Sequence, residues 1–307
     1  MIRQSDDIKG FHIPNIRETL KVTLFADDTT VYLSESDNFT SLEKILNTWC
    51  TVSTAKFNIE KTEILPLGMK TFRDHLVETR KMKPDHEPIP DNITIDADSI
   101  SMQTLGGWVG NHADRNDPWI KVIDKIKQMF DKWEKSKPTF DGRILIIQYE
   151  LTSRCQFTTA TQGMPDNIIK ILNKMINDFL WEGSVPRVKR ETLQRPKDEG
   201  EKNLVNLDNL RDTIELIRLK AYLNAGSERP LWAYIADDMI KKAMNAESRQ
   251  KFPNPKGATN IFLQEWNIKE NKLPVYLRNM IKTGKKYDVS FETINPTQTV
   301  KESLPMW

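Results

Sequence analysis

Two Ala-Asp-Asp triplets stand in this chain, Ala26-Asp27-Asp28 and Ala236-Asp237-Asp238. Adjacent carboxylates repel one another unless a cation or a set of donors neutralises them, so each pair is a candidate site for a divalent cation. Mg²⁺ takes one or two carboxylates and completes its shell with water and substrate phosphates, which would point to phosphoryl transfer. The flanking residues separate the two pairs. Asp237 and Asp238 lie in LWAYIADDMIKKAM, where Leu231, Ile235 and Met239 recur every four residues and Lys241 and Lys242 follow. That spacing reads as solvated helix residues forming local ion pairs. Asp27 and Asp28 lie in KVTLFADDTTVYL, between two runs rich in β-branched and aromatic residues. A tight hairpin between half-buried strands is expected there, holding both carboxylates at its tip. An exposed acidic turn is the plainer alternative, because Asp favours turns for purely local reasons.

The elements that would position this tip follow closely. Thr40 and Glu43 form a candidate capping box, and Leu42, Ile45, Leu46 and Trp49 recur at helical spacing. In KFNIEKTEILPLG, Phe57 and Ile59 alternate with polar residues, predicting a strand that Pro66 and Gly68 end. Residues 69–91 carry Pro84, Pro88 and Pro90, predicting a short helix and then an extended surface loop. A second hairpin is expected over residues 93–111, turning at Asp96 to Asp98 and ending in Gly106, Gly107, Trp108 and Gly110. Beyond it the period becomes helical. Asp117 and Pro118 start a stripe of Trp119, Val122, Ile123, Ile126, Phe130 and Trp133. Residues 143–152 fit helix or strand, and residues 165–181 form the clearest amphipathic helix, with Gly183 placed to end it. Two more helices are expected near residues 208–224 and 229–246, then a weakly patterned, partly loose tail.

Composition narrows the class. Charged residues make up 29% of the 307 and mean hydropathy is −0.56, yet 38% hydrophobic content with eight Trp is too much for a disordered chain. No apolar run approaches the roughly 20 residues that cross a bilayer, and MIRQSDDIKG is too charged for a signal peptide. A folded, helix-rich intracellular protein, not secreted and without a membrane partner, is therefore expected. Cys50 and Cys155 stand far apart, and His12, His75, His86 and His112 are not spaced with them as structural zinc requires. The net charge of +2 does not announce a nucleic-acid partner. Local clustering has to do that, and PRVKRETLQRPK does, with Arg187, Lys189, Arg190, Arg195 and Lys197 against Glu191 alone. A solvated basic loop is the alternative.

The residues around Asp27 and Asp28 carry a resemblance. FADD, preceded by KVTL and followed by TTVYL, resembles the metal-binding hairpin of reverse transcriptases from non-LTR (LINE-type) retrotransposons, commonly Tyr- or Phe-Ala-Asp-Asp. Further segments agree in order. AKFNIEKTEILPLG resembles the next palm segment and LGGWVGN the primer-grip region. WEKSKPTFDGRILIIQ and QGMPDNIIKILNKMINDFLWEG resemble the helical thumb, and RVKRETLQRPKDEGEKNLVNL the stretch downstream. A lone Ala-Asp-Asp would be a weak signal; the ordered series, over residues 3–236, is a strong one.

The resemblance implies an α+β fold: a partial polymerase palm of short antiparallel sheet and helix in residues 1–115, a helical thumb in 116–226, and a helical to partly loose tail in 227–307. It implies an RNA-directed DNA polymerase acting with RNA template, DNA primer and dNTP. Asp27 would be the ligand of Mg²⁺, with Asp28 supporting it, in a two-metal site that activates the primer 3′-hydroxyl and stabilises the leaving pyrophosphate. Lys61 would stand near the leaving phosphates, unless it is a solvated strand lysine. Gly106, Gly107 and Trp108 would contact the primer backbone, unless they form a glycine-rich turn packed on an indole. Arg187, Lys189 and Arg190 would bind nucleic acid.

Departures from the family pattern qualify this. The family's other catalytic carboxylate lies on a strand well upstream, whereas Asp6 and Asp7 sit in a polar turn. The chain is thus expected to be an N-terminally truncated copy, inactive by itself, with unpaired sheet edges. Ser53 and Thr54 stand where Ser-Gly is usual before AKFN, and Glu199, Gly200 and Glu201 where Glu-Gly-Gly is usual, so that Thr54 and Glu201 take glycine positions. Each would replace a glycine suited to positive φ at about 1 kcal/mol. A non-catalytic nucleic-acid-binding helical module, or a pseudogene product, is the alternative.

Overall fold

The computed structural model describes residues 1–224, 226–251, 260–262 and 267–289. The fold is α+β, with helices outweighing a few short two-stranded pieces, and it divides into two compact units, Met1–Asp114 and Arg115–Trp307.

In the first unit, β1 (Phe11–His12) pairs with β2 (Thr19–Leu20), and β3 (Val22–Phe25) pairs antiparallel with β4 (Asp28–Val31). Gly10 has to be glycine: at φ 69° a Cβ would come within 2.5 Å of the Leu20 carbonyl oxygen. The root of the β3–β4 hairpin is tied by Asp37, only 1% exposed. Its carboxylate accepts from the backbone of Lys9 at 2.6 Å, Gly10 at 3.0 Å and Ser34 at 2.7 Å, and from the Ser34 hydroxyl at 3.0 Å. The chain entering β1 and the chain leaving β4 therefore meet on one side chain. Phe11 and Tyr32 add a ring contact at 5.6 Å.

Helix α1 (Phe39–Ser53) follows, and its cap differs from expectation. Asn38, not Thr40, is the cap, accepting from the Thr40 N–H at 2.9 Å, since a short amide side chain bonds the first turn more readily. The strand expected through Phe57 and Ile59 is also corrected. Asn58 accepts from the Lys61 N–H and winds Ile59–Lys61 into a 3₁₀ turn, a local bond that competes with a ladder. Phe57 packs on Trp49 instead, with centroids 5.3 Å apart. Only β5 (Glu63–Ile64) remains extended.

Rather than one antiparallel sheet, the strands form four separate two-stranded pieces, and β5 pairs parallel with β6 (Thr94–Ile95). Helix α2 (Lys70–Thr79) fills the crossover that parallel pairing requires. The proline-bearing stretch after α2 is organised, not merely extended. Arg80 donates to the carbonyls of Ile89, Pro90 and Ile93 at 2.8, 2.5 and 2.6 Å, while Ile89 and Ile93 are buried with Leu76. The second hairpin turns elsewhere too. Arg73 takes Asp98 in a bidentate pair, both bonds 2.7 Å, so that acid belongs to α2. The turn falls at Leu105 (φ 48°) and Gly106 (φ 77°), between β7 (Met102–Thr104) and β8 (Gly107–Val109), because a two-residue turn with both φ positive selects glycine.

The second unit is helical where described. Helix α3 (Asp117–Glu134) buries Trp119, Ile126 and Phe130, as its stripe predicts, and also Met129, which the stripe omits, whereas Trp133 at the end is partly exposed. Residues 143–152, readable as helix or strand, are helical: α4 (Phe140–Ile146) runs through a π turn (Ile147–Leu151) into α5 (Thr152–Gln162). Helix α6 (Asp166–Trp181) lays Ile168, Leu172, Ile176 and Phe179 into the core, and Phe179 stacks on Phe130 at 4.2 Å. After α7 (Arg190–Leu193) comes α8 (Leu207–Leu223), whose later turns join a second apolar cluster with α9 (Leu231–Lys242). Past the short α10 (Ala246–Lys251), α11 (Val275–Lys286) buries Leu277, Met280 and Ile281 in that cluster. That part of the supposedly loose tail is packed; the last eighteen residues lie outside the described ones.

Thr54 caps α1 at φ 60°, a left-handed conformation that a β-branched residue adopts at a cost. Glu201 has no such φ; Gly200 takes it, at 81°. Replacing Thr54 by Gly is expected to raise stability by about 1 kcal/mol in urea denaturation, whereas an unchanged or lower midpoint would count against that strain. Burial pushes the Asp37 carboxyl up, but its hydrogen bonds outweigh this and hold it below the ordinary value. Its stabilisation is thus present above the unfolded value of about 3.9 and lost as pH falls through the folded value. Asp37→Asn is expected to cost about 1–3 kcal/mol at neutral pH and to blunt the loss of stability on acidification, read by denaturation at stepped pH.

Candidate functional site

The tip of the β3–β4 hairpin is built from its register. Phe25 pairs with Asp28, leaving Ala26 and Asp27 as the two loop residues. Ala26 carries positive φ, 51°, at the first loop position, where a two-residue hairpin turn calls for it. Asp27 is therefore on the turn and Asp28 is the first residue of β4. Both are exposed, and so are Leu24 (62%) and Phe25 (67%) behind them. The expected half-buried strands are in fact anchored only at Val22, which is 7% exposed. A two-stranded ribbon has only one face to pack and two unpaired edges, so its outer half stays in solvent.

Two exposed carboxylates suit a hydrated Mg²⁺ that draws further ligands from water and phosphate oxygens. They do not by themselves form the cage of a two-metal centre, and among the described residues no group of three or more His, Cys, Asp or Glu is placed to hold a metal ion. Lys61 is exposed, on the 3₁₀ turn rather than a strand. Gly106 serves its own turn, while Gly107 and Trp108 lie on β8, with Trp108 opposite Gln103. The close backbone approach belongs to Gly110, where a Cβ would collide with the Ile100 carbonyl. No ladder joins this hairpin to the one bearing Asp27 and Asp28, so the structure does not bring them into one sheet.

The basic residues lie in the second unit. Glu182 (φ 52°) and Gly183 (φ 73°) reverse the chain at the end of α6. Arg143, 3% exposed, fastens this corner by donating to the Phe179 carbonyl and to Glu182, both at 2.6 Å. Past it, Arg187 and Lys189 are exposed, and Arg190 opens α7. Arg190 donates to the Asn173 carbonyl at 2.5 Å, and burial draws its guanidinium below the ordinary value against the pull of Glu191. These side chains line a cavity of about 360 Å³.

Sequence reasoning missed two residues that organise these sites. The signal for Asp37 was present, an acid two residues before the start of α1 in SESDN, but its partners lie 27 and 28 positions back. Arg143 was hidden inside an apolar run. The second Ala-Asp-Asp is a pair of unlike residues. Asp238 makes the expected local ion pair, with Lys242 at 2.6 Å. Asp237 is not a solvated ornament: it accepts from the Tyr222 hydroxyl at 2.9 Å and from Arg229 at 2.8 Å, joining α8 to α9. Its oxygens are spent on packing. Among the described residues no helix is long and apolar enough to cross a membrane. Matched against known protein families, the sequence fits no family model.

Proposed function

We propose that this chain carries the palm hairpin and helical thumb of an RNA-directed DNA polymerase of the non-LTR retrotransposon type, acting with RNA template, DNA primer and dNTP. The observation that supports it is the placement of Asp27 and Asp28: the acidic pair sits on a two-residue turn between antiparallel strands. Such a turn sets two adjacent carboxylates at an exposed tip, where a cation can bridge them to a phosphate. Mg²⁺, bound there together with substrate phosphates, would supply the positive charge that phosphoryl transfer requires. The chain's own part is positional. Its turn fixes the carboxylates, and Asp37 fixes the root of the ribbon. Because two exposed carboxylates do not complete a two-metal cage, turnover by the chain alone is expected to be negligible.

A non-catalytic nucleic-acid-binding module is the second reading, favoured by the clustering of Arg187, Lys189 and Arg190 about one cavity. Primer extension and primer–template binding on an RNA template with Mg²⁺ separate the two. Incorporation by the chain alone is expected to be absent or a trace, while Mg²⁺ plus the complementary dNTP is expected to tighten primer–template binding at least about tenfold in the wild type and not in Asp27→Asn. Binding without incorporation, and without tightening by Mg²⁺ plus the complementary dNTP, would discard the polymerase and leave the module.

A further inference from the structure

The cavity beside α7 has the makings of a site for one nucleotide. It is a half-open groove of about 360 Å³, the small end of the size range of pockets for organic ligands. Trp181 lines it, and the Trp181 ring packs on Phe140 with centroids 5.1 Å apart. Leu193 and Leu204 also line it; they are 5% and 2% exposed, and the Leu204 N–H donates to the Leu193 carbonyl at 2.8 Å. The rim is cationic, from Arg187, Lys189 and Arg190, and no carboxylate lines the cavity. The acid at the α6 corner, Glu182, is held by Arg143 at 2.6 Å. An aromatic ring, two buried leucines and three cations, with Glu191 beside Arg190 outside the lining, match an object that carries both a planar ring and an anion.

We infer that this cavity binds a nucleotide unit, its base against Trp181 and its phosphate on Arg187 and Lys189, with Arg190 held at the edge by the Asn173 carbonyl. The inference rests on the nucleic-acid reading above and sharpens it to a single-stranded segment: in a duplex the base is stacked and paired and does not reach an indole in a cavity. Either a strand or a free nucleotide supplies this chemistry. In both cases the phosphate is held by charge and the base by stacking, so the two contributions respond differently to salt.

The test uses the full chain and fluorescence anisotropy with a labelled oligothymidylate of about ten nucleotides. The double variant Arg187→Gln/Lys189→Gln, both exposed positions, is expected to bind it at least about tenfold more weakly, with a log–log salt slope lower by about 1. The control Arg195→Gln/Lys197→Gln, on the same basic run but outside the cavity, is expected to change affinity less than about threefold. Trp181→Leu should weaken binding by about tenfold at unchanged salt slope, and Trp181→Phe should recover most of it, which a merely unfolded chain would not do. Thymidine monophosphate displacing the strand at millimolar concentration would identify the unit itself as the ligand; displacement only by longer strands would assign the site to a polynucleotide. Equal losses in both double variants, or wild-type affinity in the cavity variant, would overturn the assignment. Because no incorporation is measured, intact strand binding without tightening by Mg²⁺ plus dNTP would remove the polymerase and keep this site, whereas the converse would remove only the site.

Discussion

The Asp37 carboxylate organises the strand-bearing half of this protein. A ribbon of two four-residue strands cannot bury enough surface to hold itself in water, and here its outer half is exposed. What fixes it is a buried anion with donors from both flanks: Lys9 and Gly10 before β1, and Ser34 after β4. A charge at 1% exposure is tolerable only when its lone pairs are taken up, and its backbone partners lie on segments that would otherwise drift apart. The same contact sets where α1 begins, because Asn38 follows immediately as the cap. The acidic tip thus projects from a root held by hydrogen bonds rather than by a sheet.

The helical half is governed by a cation used in the same manner. Arg143 enters the core from α4 and donates to the carbonyl of Phe179 and to Glu182, with the Phe179 ring 4.9 Å below its guanidinium. These acceptors lie at the C-terminal end of α6, where unpaired carbonyls and the helix dipole favour positive charge. Stopped there, the chain reverses through two left-handed residues and leads the basic segment back past Trp181. Cation-bearing residues that sequence alone places in an open loop thereby line one cavity with Trp181 and two buried leucines. A third ionic tie, Lys286 to Asp212 at 2.5 Å with the Tyr287 hydroxyl alongside, locks α11 to α8.

Much of the local architecture was legible. The β3–β4 hairpin, the stripe of α3 and the long amphipathic α6 all follow from periodicity, since each buries a face whose spacing is written in neighbouring residues. Errors cluster where a side chain outbid the pattern. Asn58 bent an apparent strand into a 3₁₀ turn, and Arg73 claimed Asp98, so the second hairpin turned at Leu105 and Gly106 instead. Arg80 gathered three carbonyls and made an ordered core beneath a stretch whose prolines advertised a surface loop. For α11 the spacing of Leu277, Met280, Ile281 and Gly284 was available, but the surrounding lysines and arginine hid it.

By itself, the sequence determined that the first acidic pair stands on a hairpin, that the second stands on a helix, and where the long helices run. These depend on contacts within a few residues, which composition and period encode. Only the tertiary structure decided that Asp237 is a packing residue, that Asp37 and Arg143 hold the elements carrying the acidic and basic groups, and that the basic run lines a cavity. The ties at Asp37, Arg143 and Asp237 each include a hydrogen bond to a residue 15 to 39 positions away, a partner that no local pattern names.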